Sequence, residues 1–386
     1  MIALAWRNLW RNPRRTLLTL LAIAFACLVM VFLLSLQVGT YAAMEDNTMG
    51  LFDGYAQVQR PDYLDDPGIR KSFPDAARLA GTVAGVPQIG AVAVRAQTFA
   101  LLSKDQKSLA AMVVGVQPKA EPRVSRIPAS LKAGRWLAGG GTAEVVLGKT
   151  LARNLGLALG DHVTLLGMGR DGSVAADVLT VVGLFESGIP DLDRRLAELP
   201  LARFQSDFAM PDQANALVLS GRSLAAVGEA LPAVQTRVAP AGLRVRGWGE
   251  LQPGLRDAIR LDASGSLLWY VALIVVVVAI LLNTLLMSVL ERTRELGLLL
   301  ALGMRPGTAA RMVWLEDLML VGLGIGLGVA IGAGAAAWFS VQGLPVPGAD
   351  GVFSQWGLPG RMYPRISPLS LLAAPAAIGV LAALAG

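Results

Sequence analysis

Histidine and cysteine are almost missing from this chain of 386 residues, which has one of each, His162 and Cys27. A single histidine excludes metal sites that are built from several histidines. A single cysteine excludes a disulfide framework and argues against redox chemistry. Charged residues are scarce too, at 16% of the chain, whereas a soluble domain normally has about 25%. This deficit predicts a membrane protein.

Four long apolar runs account for the missing charge. The uncharged stretches are residues 16–37, 266–290, 318–341 and 366–386. Each reaches the roughly 20 residues that cross about 30 Å of hydrocarbon. We therefore predict transmembrane helices at 16–38, 266–290, 312–341 and 366–386, with Pro368 and Pro375 interrupting the last. A cleaved signal peptide is the alternative for the first run, but this run is too long and no small-residue cleavage site follows promptly.

Arginines set the predicted orientation. Four of them (Arg7, Arg11, Arg14 and Arg15) precede the first run, which predicts a cytoplasmic N-terminus. Parity then puts 291–311 inside, where four more basic residues lie, and 342–365 outside, where only Arg361 and Arg365 disagree. The net charge of +6 therefore fits anionic headgroups at the bilayer edge rather than nucleic acid.

Residues 39–265 are long enough for a folded extracytoplasmic domain. Two stretches of this region follow a strand–helix–strand order: 55–103, which ends in one or two strands at 89–103, and 214–248, which has its helix at 223–238. Between them, about 105–205, Val-rich segments such as 162–168 alternate with Gly turns as in short strands. We predict an α+β domain in which a ferredoxin-like half carries a β-rich insertion. The fold class is thus an α-helical membrane protein with four transmembrane helices and a large α+β extracytoplasmic domain.

Residues 1–15 interleave aromatic and basic side chains at helical intervals. Trp6, Arg7, Trp10 and Arg11 are typical of an amphipathic helix at the cytoplasmic interface, where Trp rings lie at headgroup level. The alternative is a plain flanking sequence.

The third run contains many glycines. Gly322, Gly326, Gly328 and Gly332 stand among small-xxx-small spacings, which permit close backbone approach between helices in lipid. We predict that these glycines pack against another helix of this chain or of a second subunit. A lipid-facing, Gly-rich helix is the alternative.

No catalytic motif survives inspection. The stretch VLGKT (146–150) resembles the end of a phosphate-binding loop, but Ala143 stands where the first glycine is required. This stretch is better interpreted as a turn into a helix, and His162 as the start of a strand. We predict no catalytic, cofactor-binding or metal-binding residues in this chain.

The stretch ERTRELGLLLALGMRP (291–306) follows the second run directly. Its opposite charges three residues apart, such as Glu291 and Arg294, favour a helix leaving the bilayer. Gly297 allows a bend, Gly303 is a plausible C-cap and Pro306 stops the helix. A short apolar helix here needs lipid, a partner's groove or the adjacent spans to cover it.

ERTRELGLLLALGMRPGTAARMVWLED (291–317) resembles the signature of the FtsX-like ABC permeases, the MacB-type group that includes macrolide-exporter and lipoprotein-releasing permeases. WRNLWRNPRRTLLTLLAIA (6–24) is similar to the N-terminal helix and first span of that family. GRWLAGGGTAEVVLGKTLARNLGLALGDHVTL (134–165) is similar to its extracytoplasmic domain.

The resemblance implies a coupling helix that docks on a separate cytoplasmic ABC ATPase dimer, which would bind the ATP and Mg²⁺. The residues that would carry or frame coupling are Glu291, Arg292, Arg294, Glu295, Gly297, Leu302, Gly303, Met304 and Arg305. Glu316 matches an acidic residue of the family, whereas Leu299 and Leu300 stand where many members have a basic residue.

The resemblance further implies a multi-pass protein of the bacterial inner membrane that works with a second permease copy or paralogue. YAQVQRPDYLDDP (55–67) resembles lipoprotein-releasing relatives, which favours release of lipoproteins or other amphiphiles by mechanotransmission, with a possible lipoprotein acceptor. The alternatives are drug or peptide efflux through a periplasmic adaptor and an outer-membrane duct, and non-transporting regulation of a cell-wall hydrolase.

Overall fold

The computed structural model describes residues 6–7, 9–11, 13–291, 293–345 and 361–385. The chain divides into two compact units. We call residues 43–256 the large domain, and the helices before and after it the membrane unit.

Three long helices of the membrane unit are apolar enough to cross a bilayer. They have 36, 39 and 37 residues: α1, Pro13–Thr48; α8, Pro253–Glu291; and α10, Pro306–Gln342. They extend beyond the predicted spans, since α1 continues past residue 38 and α8 begins before residue 266. The fourth predicted span corresponds to α11, Pro368–Ala385, whose apolar stretch Pro368–Leu381 is shorter. The count of four spans is therefore not confirmed.

Helix α10 packs closely on α1 through three glycines, Gly324, Gly328 and Gly332. A Cβ added at Gly328 would lie 2.5 Å from the Ala24 carbonyl oxygen and 2.6 Å from Cys27 Cβ. Cys27 itself is fully buried. Of the four glycines predicted to pack, the structure brings Gly328 and Gly332 to this contact.

Gly322 and Gly326 lie elsewhere on α10, where an added Cβ would meet nothing within 4 Å. Among the described residues, Gly324 rather than these two completes the contact with α1, and packing of Gly322 and Gly326 against a second subunit stays a prediction. The reason is rotational: 3.6 residues per turn put 324, 328 and 332 on one stripe and 322 and 326 on another.

The large domain contains one sheet of ten strands within the described residues. Their order is β10-β1-β9-β2-β3-β8-β5-β7-β4, and β6 pairs with β2 and β7. The pairs β3–β8 and β5–β7 are parallel and the others antiparallel. The strands are β1, Ala56–Gln59; β2, Ala91–Lys104; β3, Lys107–Val116; β4, Leu131–Gly134; β5, Glu144–Gly148; β6, His162–Met168; β7, Val174–Phe185; β8, Leu196–Pro200; β9, Ala216–Ser220; and β10, Arg244–Gly247.

Among the described residues, five helices lie between these strands and a sixth, α7, follows β10. They are α2, Ala76–Ala84; α3, Lys149–Leu155; α4, Pro190–Arg195; α5, Leu201–Asp207; α6, Leu224–Val238; and α7, Trp248–Leu251. A π-helical turn, Met49–Asp53, follows α1, and short 3₁₀ turns occupy Glu121–Arg123, Pro128–Ser130 and Ala239–Ala241.

Two β-α-β units interleave at one end of the sheet. The first is β1–α2–β2 and the second is β9–α6–β10, and their strands alternate as β10-β1-β9-β2. Strands β3 to β8 come between β2 and β9 along the chain. The residues predicted as one or two strands at 89–103 form the single strand β2. Sequence reasoning missed β4, β8, α4, α5 and α7.

Beyond α10, Leu344–Pro345 and Arg361–Met362 form a short antiparallel pair, β11 and β12. The rest of the predicted outer loop, 346–360, lies outside the described residues.

Candidate functional site

The segment that joins α8 to α10 contains one short helix. α8 ends at Glu291, and α9 runs from Thr293 to Ala301. The Gly303 N–H donates to the Leu300 carbonyl over 3.0 Å, with Gly303 at φ +96°. Because this conformation suits glycine and disfavours residues with a Cβ, the helix stops here. Helix α10 begins at Pro306, where a missing N–H costs nothing.

Three leucines of this segment face outward. The exposed fraction is 64% for Leu298, 41% for Leu300 and 77% for Leu302. Gly303 and Arg305 are also exposed, whereas Met304 is half-buried. Three leucines exposed within five residues form an apolar surface of the kind that a partner or a membrane covers. We call residues 298–305 the coupling surface.

Gly297 lies inside α9, with helical residues on both sides. The helix therefore continues through this glycine without a break.

The charged residues of the segment are placed differently from the prediction. Glu291 accepts a hydrogen bond of 2.8 Å from Arg15 Nη1, at the start of α1, rather than pairing with Arg294, which is exposed. Arg292 lies outside the described residues, and nothing is described of the Glu295 side chain. The Arg15–Glu291 ion pair joins the beginning of the first long helix to the end of the second.

A small cavity of about 30 Å³ lies beside that ion pair. Its lining includes Arg15, Thr284, Glu316 and Asp317. Glu316, which matches the acidic residue of the family, is buried. Polar groups from α1, α8 and α10 therefore meet at one end of the membrane unit.

The predicted interfacial helix is described in part. Trp6 and Arg7 are helical, Trp10 and Arg11 form a turn, and residues 1–5, 8 and 12 lie outside the described residues. The two indole rings meet edge to face with centroids 6.1 Å apart, and both are about half exposed. Amphipathic aromatic rings in this position suit a membrane–water interface.

A buried ionic cluster in the large domain escaped the sequence analysis. The Arg95 guanidinium on β2 donates to both carboxylate oxygens of Glu121, and its Nη1 donates to the Phe52 carbonyl over 2.7 Å. Both members of the ion pair are buried. Arg95 also lies over the Phe52 ring, 4.4 Å from its centroid. The cluster thus ties β2 to the turn that follows α1.

Two further acids surround this cluster. Burial, reinforced by the nearby Glu121 carboxylate, holds the pKa of Glu198 well above its usual range. Burial also raises the pKa of Asp53, although Gln252 Nε2 donates to that carboxylate over 2.6 Å. The sequence has no signal that predicts contact among Asp53, Arg95, Glu121 and Glu198, because these residues belong to four segments that are distant along the chain.

The residues of the apparent phosphate-loop motif have structural roles. Gly148 approaches α4 so closely that an added Cβ would lie 2.3 Å from the Asp193 carbonyl oxygen. Lys149 begins α3 and forms an ion pair of 3.2 Å with Glu186. His162 begins β6, with Nδ1 3.3 Å from the Thr180 hydroxyl. Across the described residues, no group of three or more His, Cys, Asp and Glu side chains could hold a metal ion.

Two protein-family models match the chain. A MacB-like periplasmic core domain matches residues 16–239, and an FtsX-like permease C-terminal domain matches residues 268–386. The first match alone covers more than half of the chain. The chain belongs to the MacB/FtsX-type ABC permease family. A permease of this family is the membrane subunit of a transporter and not itself the ATPase, and it implies an ABC ATPase partner.

Solved structures are similar to part of this permease. The extracellular domain of the noncanonic ABC-type transporter YknZ from Gram-positive bacteria is 14% identical and covers 50% of the permease and 99% of its own chain, with a TM-score of 0.36. The periplasmic region of MacB from Actinobacillus actinomycetemcomitans is 13% identical and covers 55% and 97%, with a TM-score of 0.40. Scores this low carry no argument, so the family assignment rests on the two models. A search of curated proteins finds no match.

Proposed function

We propose that this permease works by mechanotransmission. A separate ABC ATPase, binding ATP and Mg²⁺, would grip the coupling surface in each of two permease copies, identical or paralogous. The membrane helices would pass the movement to the large domains. The observation that carries this proposal is the exposure of Leu298, Leu300 and Leu302 next to a glycine-terminated helix. If this chain's own helices buried these leucines, an ATPase would have nothing to hold.

The composition of the helices supports movement rather than a polar channel. The runs 16–37, 266–290 and 318–341 contain no charged residue, whereas a pathway for a charged solute through a membrane normally contains ionisable side chains. The substrate would then be handled by the large domain and the outer leaflet. We propose lipoproteins or other amphiphiles as that substrate, with a lipoprotein acceptor receiving them.

Efflux through a periplasmic adaptor is the second candidate, and the match to a MacB-like core domain favours it. Under either candidate we place the permease in a bacterial inner membrane with a cytoplasmic N-terminus, a periplasmic large domain and α11 as a fourth span. The interleaved units β1–α2–β2 and β9–α6–β10 would then be a ferredoxin-like half with strands β3 to β8 inserted.

The coupling proposal is tested with Leu302→Asp in the permease reconstituted with its co-purifying ATPase. An aspartate at the centre of an apolar contact should weaken ATPase binding about tenfold or more and uncouple ATP hydrolysis from the permease. Leu159→Asp, at an exposed leucine of the large domain, is the matched control. ATPase binding and coupling equal to those of the unmodified permease would remove the role assigned to this surface.

Orientation is tested separately with protease added outside intact spheroplasts. Cleavage within 43–256 is expected, and full protection of that region would overturn the topology.

A further inference from the structure

The large domain contains a groove that none of the roles above uses. A cavity of about 350 Å³ is lined by residues that include Gln57, Gln59, Phe99 and Met112. A second cavity of about 230 Å³ shares Phe99 and Met112 with it, among others. We call the two adjoining cavities the sheet groove.

One wall of the sheet groove is made of side-chain amides whose orientation can be deduced. Gln57 Nε2 donates to the Asp53 carbonyl over 2.8 Å, so Gln57 Oε1 is left to accept. Gln59 Nε2 donates to that oxygen over 2.5 Å. The Gln59 amide must therefore turn its oxygen away from Gln57, because each amide has one accepting and one donating end.

Gln59 Oε1 is an acceptor without a protein donor among the described residues. The Gln59 side chain is 3% exposed and lines the groove. A buried acceptor left unsatisfied costs about 1–3 kcal/mol. A ligand that brings an N–H or O–H group to this oxygen would recover that free energy.

The opposite part of the sheet groove is apolar and continues along the sheet. Phe99 on β2 is 62% exposed, and the next residues on the same face, Leu101, Leu166, Met168 and Val174, are exposed as well. Leu101 pairs with Leu166, and Met168 pairs with Val174. The alternate residues of these strands, such as Leu102 and Leu165, are buried. Neighbouring strands thus present an uncharged apolar surface beside the amide wall.

The charge of the groove excludes an anionic headgroup as the preferred ligand. Its buried acceptor without a partner among the described residues, Gln59 Oε1, repels phosphate and carboxylate oxygens. Asp191 and Arg195, which both line the groove, form an ion pair of 3.2 Å with each other. The groove has amide side chains beside apolar side chains. An extended polypeptide fits both, because its polar backbone can bond to the amides while its apolar side chains lie on the apolar wall.

We propose that the sheet groove binds an uncharged, extended, apolar polypeptide segment, whose backbone N–H donates to Gln59 Oε1 and whose side chains lie on Phe99 and Met112. The groove is lined by Asp53, in the turn that follows α1, and by Gln252, which immediately precedes α8 at Pro253. A bound segment therefore touches both chain connections to the membrane helices. Binding of the segment to the groove does not depend on the proposed function. The idea that the segment is export cargo does rest on the proposed function.

The test is calorimetric titration of the full-length permease in lipid nanodiscs. The probe is an acetylated and amidated hexapeptide of alternating leucine and serine, and its partner is the same peptide N-methylated along the backbone. The parent peptide should bind about tenfold more tightly than the methylated one. Gln59→Leu should weaken the parent about fivefold and remove most of this preference. Phe99→Ser should weaken both peptides about tenfold, while Leu159→Ser changes neither.

Three results would overturn the proposal. They are equal binding of the two peptides to the unmodified permease, undiminished binding to Phe99→Ser, and binding of a dodecyl-chain phospholipid analogue without binding of the peptide. Phe99 is exposed, so its variant should fold even if Gln59→Leu does not. If the peptide fails to bind while Leu302→Asp still uncouples the ATPase, the groove is wrong and the permease role stands.

Discussion

Strand β8 and the coupling surface have similar residues in opposite surroundings. In β8, Leu196 and Leu199 are fully buried between β3 and β5. In the coupling surface, Leu298 and Leu302 are mostly exposed. The same side chain therefore contributes folding free energy in one place and leaves an interface available in the other. The hydrophobicity of a leucine therefore does not tell whether it stabilises the fold or forms an interface. Its burial in the folded chain does.

The largest expected effect comes from making one substitution in both places. Leu199→Asp should lower the free energy of unfolding by more than about 4 kcal/mol or prevent folding, because it buries an unpaired charge. Leu302→Asp should change the free energy of unfolding by less than about 0.5 kcal/mol. Denaturant unfolding monitored by tryptophan fluorescence measures both. A similar loss in both variants would contradict the comparison.

Two glutamates of the buried cluster extend the comparison to charge. Glu121→Ala leaves the Arg95 guanidinium buried without its carboxylate, which should cost about 3–5 kcal/mol of unfolding free energy. Glu198→Gln should cost less than about 1 kcal/mol, because no protein donor among the described residues reaches its carboxyl group and its raised pKa already favours the neutral form. Thermal unfolding of the two variants under the same conditions measures both losses of stability. Equal losses would mean that Glu198 also acts as a charged partner.

Two glycines on α10 differ in their surroundings: Gly328 packs against α1, whereas Gly326 has open space beside it. Gly328→Ala should destabilise the packing on α1 by about 1–3 kcal/mol, because the new methyl group would overlap the Ala24 carbonyl. Gly326→Ala meets nothing within 4 Å and should be neutral or slightly stabilising. Thermal unfolding in lipid nanodiscs is the measurement. Loss of stability in Gly326→Ala would reveal a contact with another chain.

The smallest expected effect is a pH dependence of the free energy of unfolding that arises from the partly buried Asp207. Burial and the neighbouring Asp177 raise the pKa of Asp207 from 3.8 to about 6, while Arg203 forms two hydrogen bonds with Asp177, of 2.8 and 2.6 Å. Because the folded pKa is higher, the folded state holds an extra proton between pH 3.8 and 6. The stabilisation from Asp207 is therefore full below about pH 4 and is lost as pH rises to about 6, by on the order of 1–2 kcal/mol.

Asp207→Asn should remove this slope between pH 4 and 6 in denaturant unfolding. The exposed Asp171 cannot produce it, because Ser173 lowers the pKa of Asp171 below 3.8. An unchanged slope in Asp207→Asn would locate the titrating group elsewhere.

Local signals in the sequence predicted local structure well. The helix predicted at 223–238 is Leu224–Val238, and the strand predicted at 162–168 is His162–Met168. Gly303 follows the end of α9 as a C-cap, as predicted, whereas Pro306, which was predicted only to stop that helix, begins the next one. In each case the determining residues are neighbours along the chain, so capping, periodicity and turn chemistry suffice.

Features that depend on distant residues could not be predicted in this way. Strand β8 was missed because its sequence, LAELP, has an acid at the centre and follows a charged run. Its burial depends on β3 and β5, far away along the chain. The Arg15–Glu291 pair joins residues 276 positions apart. The glycine spacing on α10 predicted close packing, but it could not say which stripe faces α1.

The lone thiol of this chain is sealed between α1 and α10. Water-soluble maleimides would therefore find no native target in the folded protein. A cysteine introduced at Leu302 or at Phe99 would be the single accessible thiol of the folded protein, so Cys27 need not be removed first. Spin labels or fluorophores could then follow the coupling surface and the sheet groove during one ATP cycle of the proposed complex.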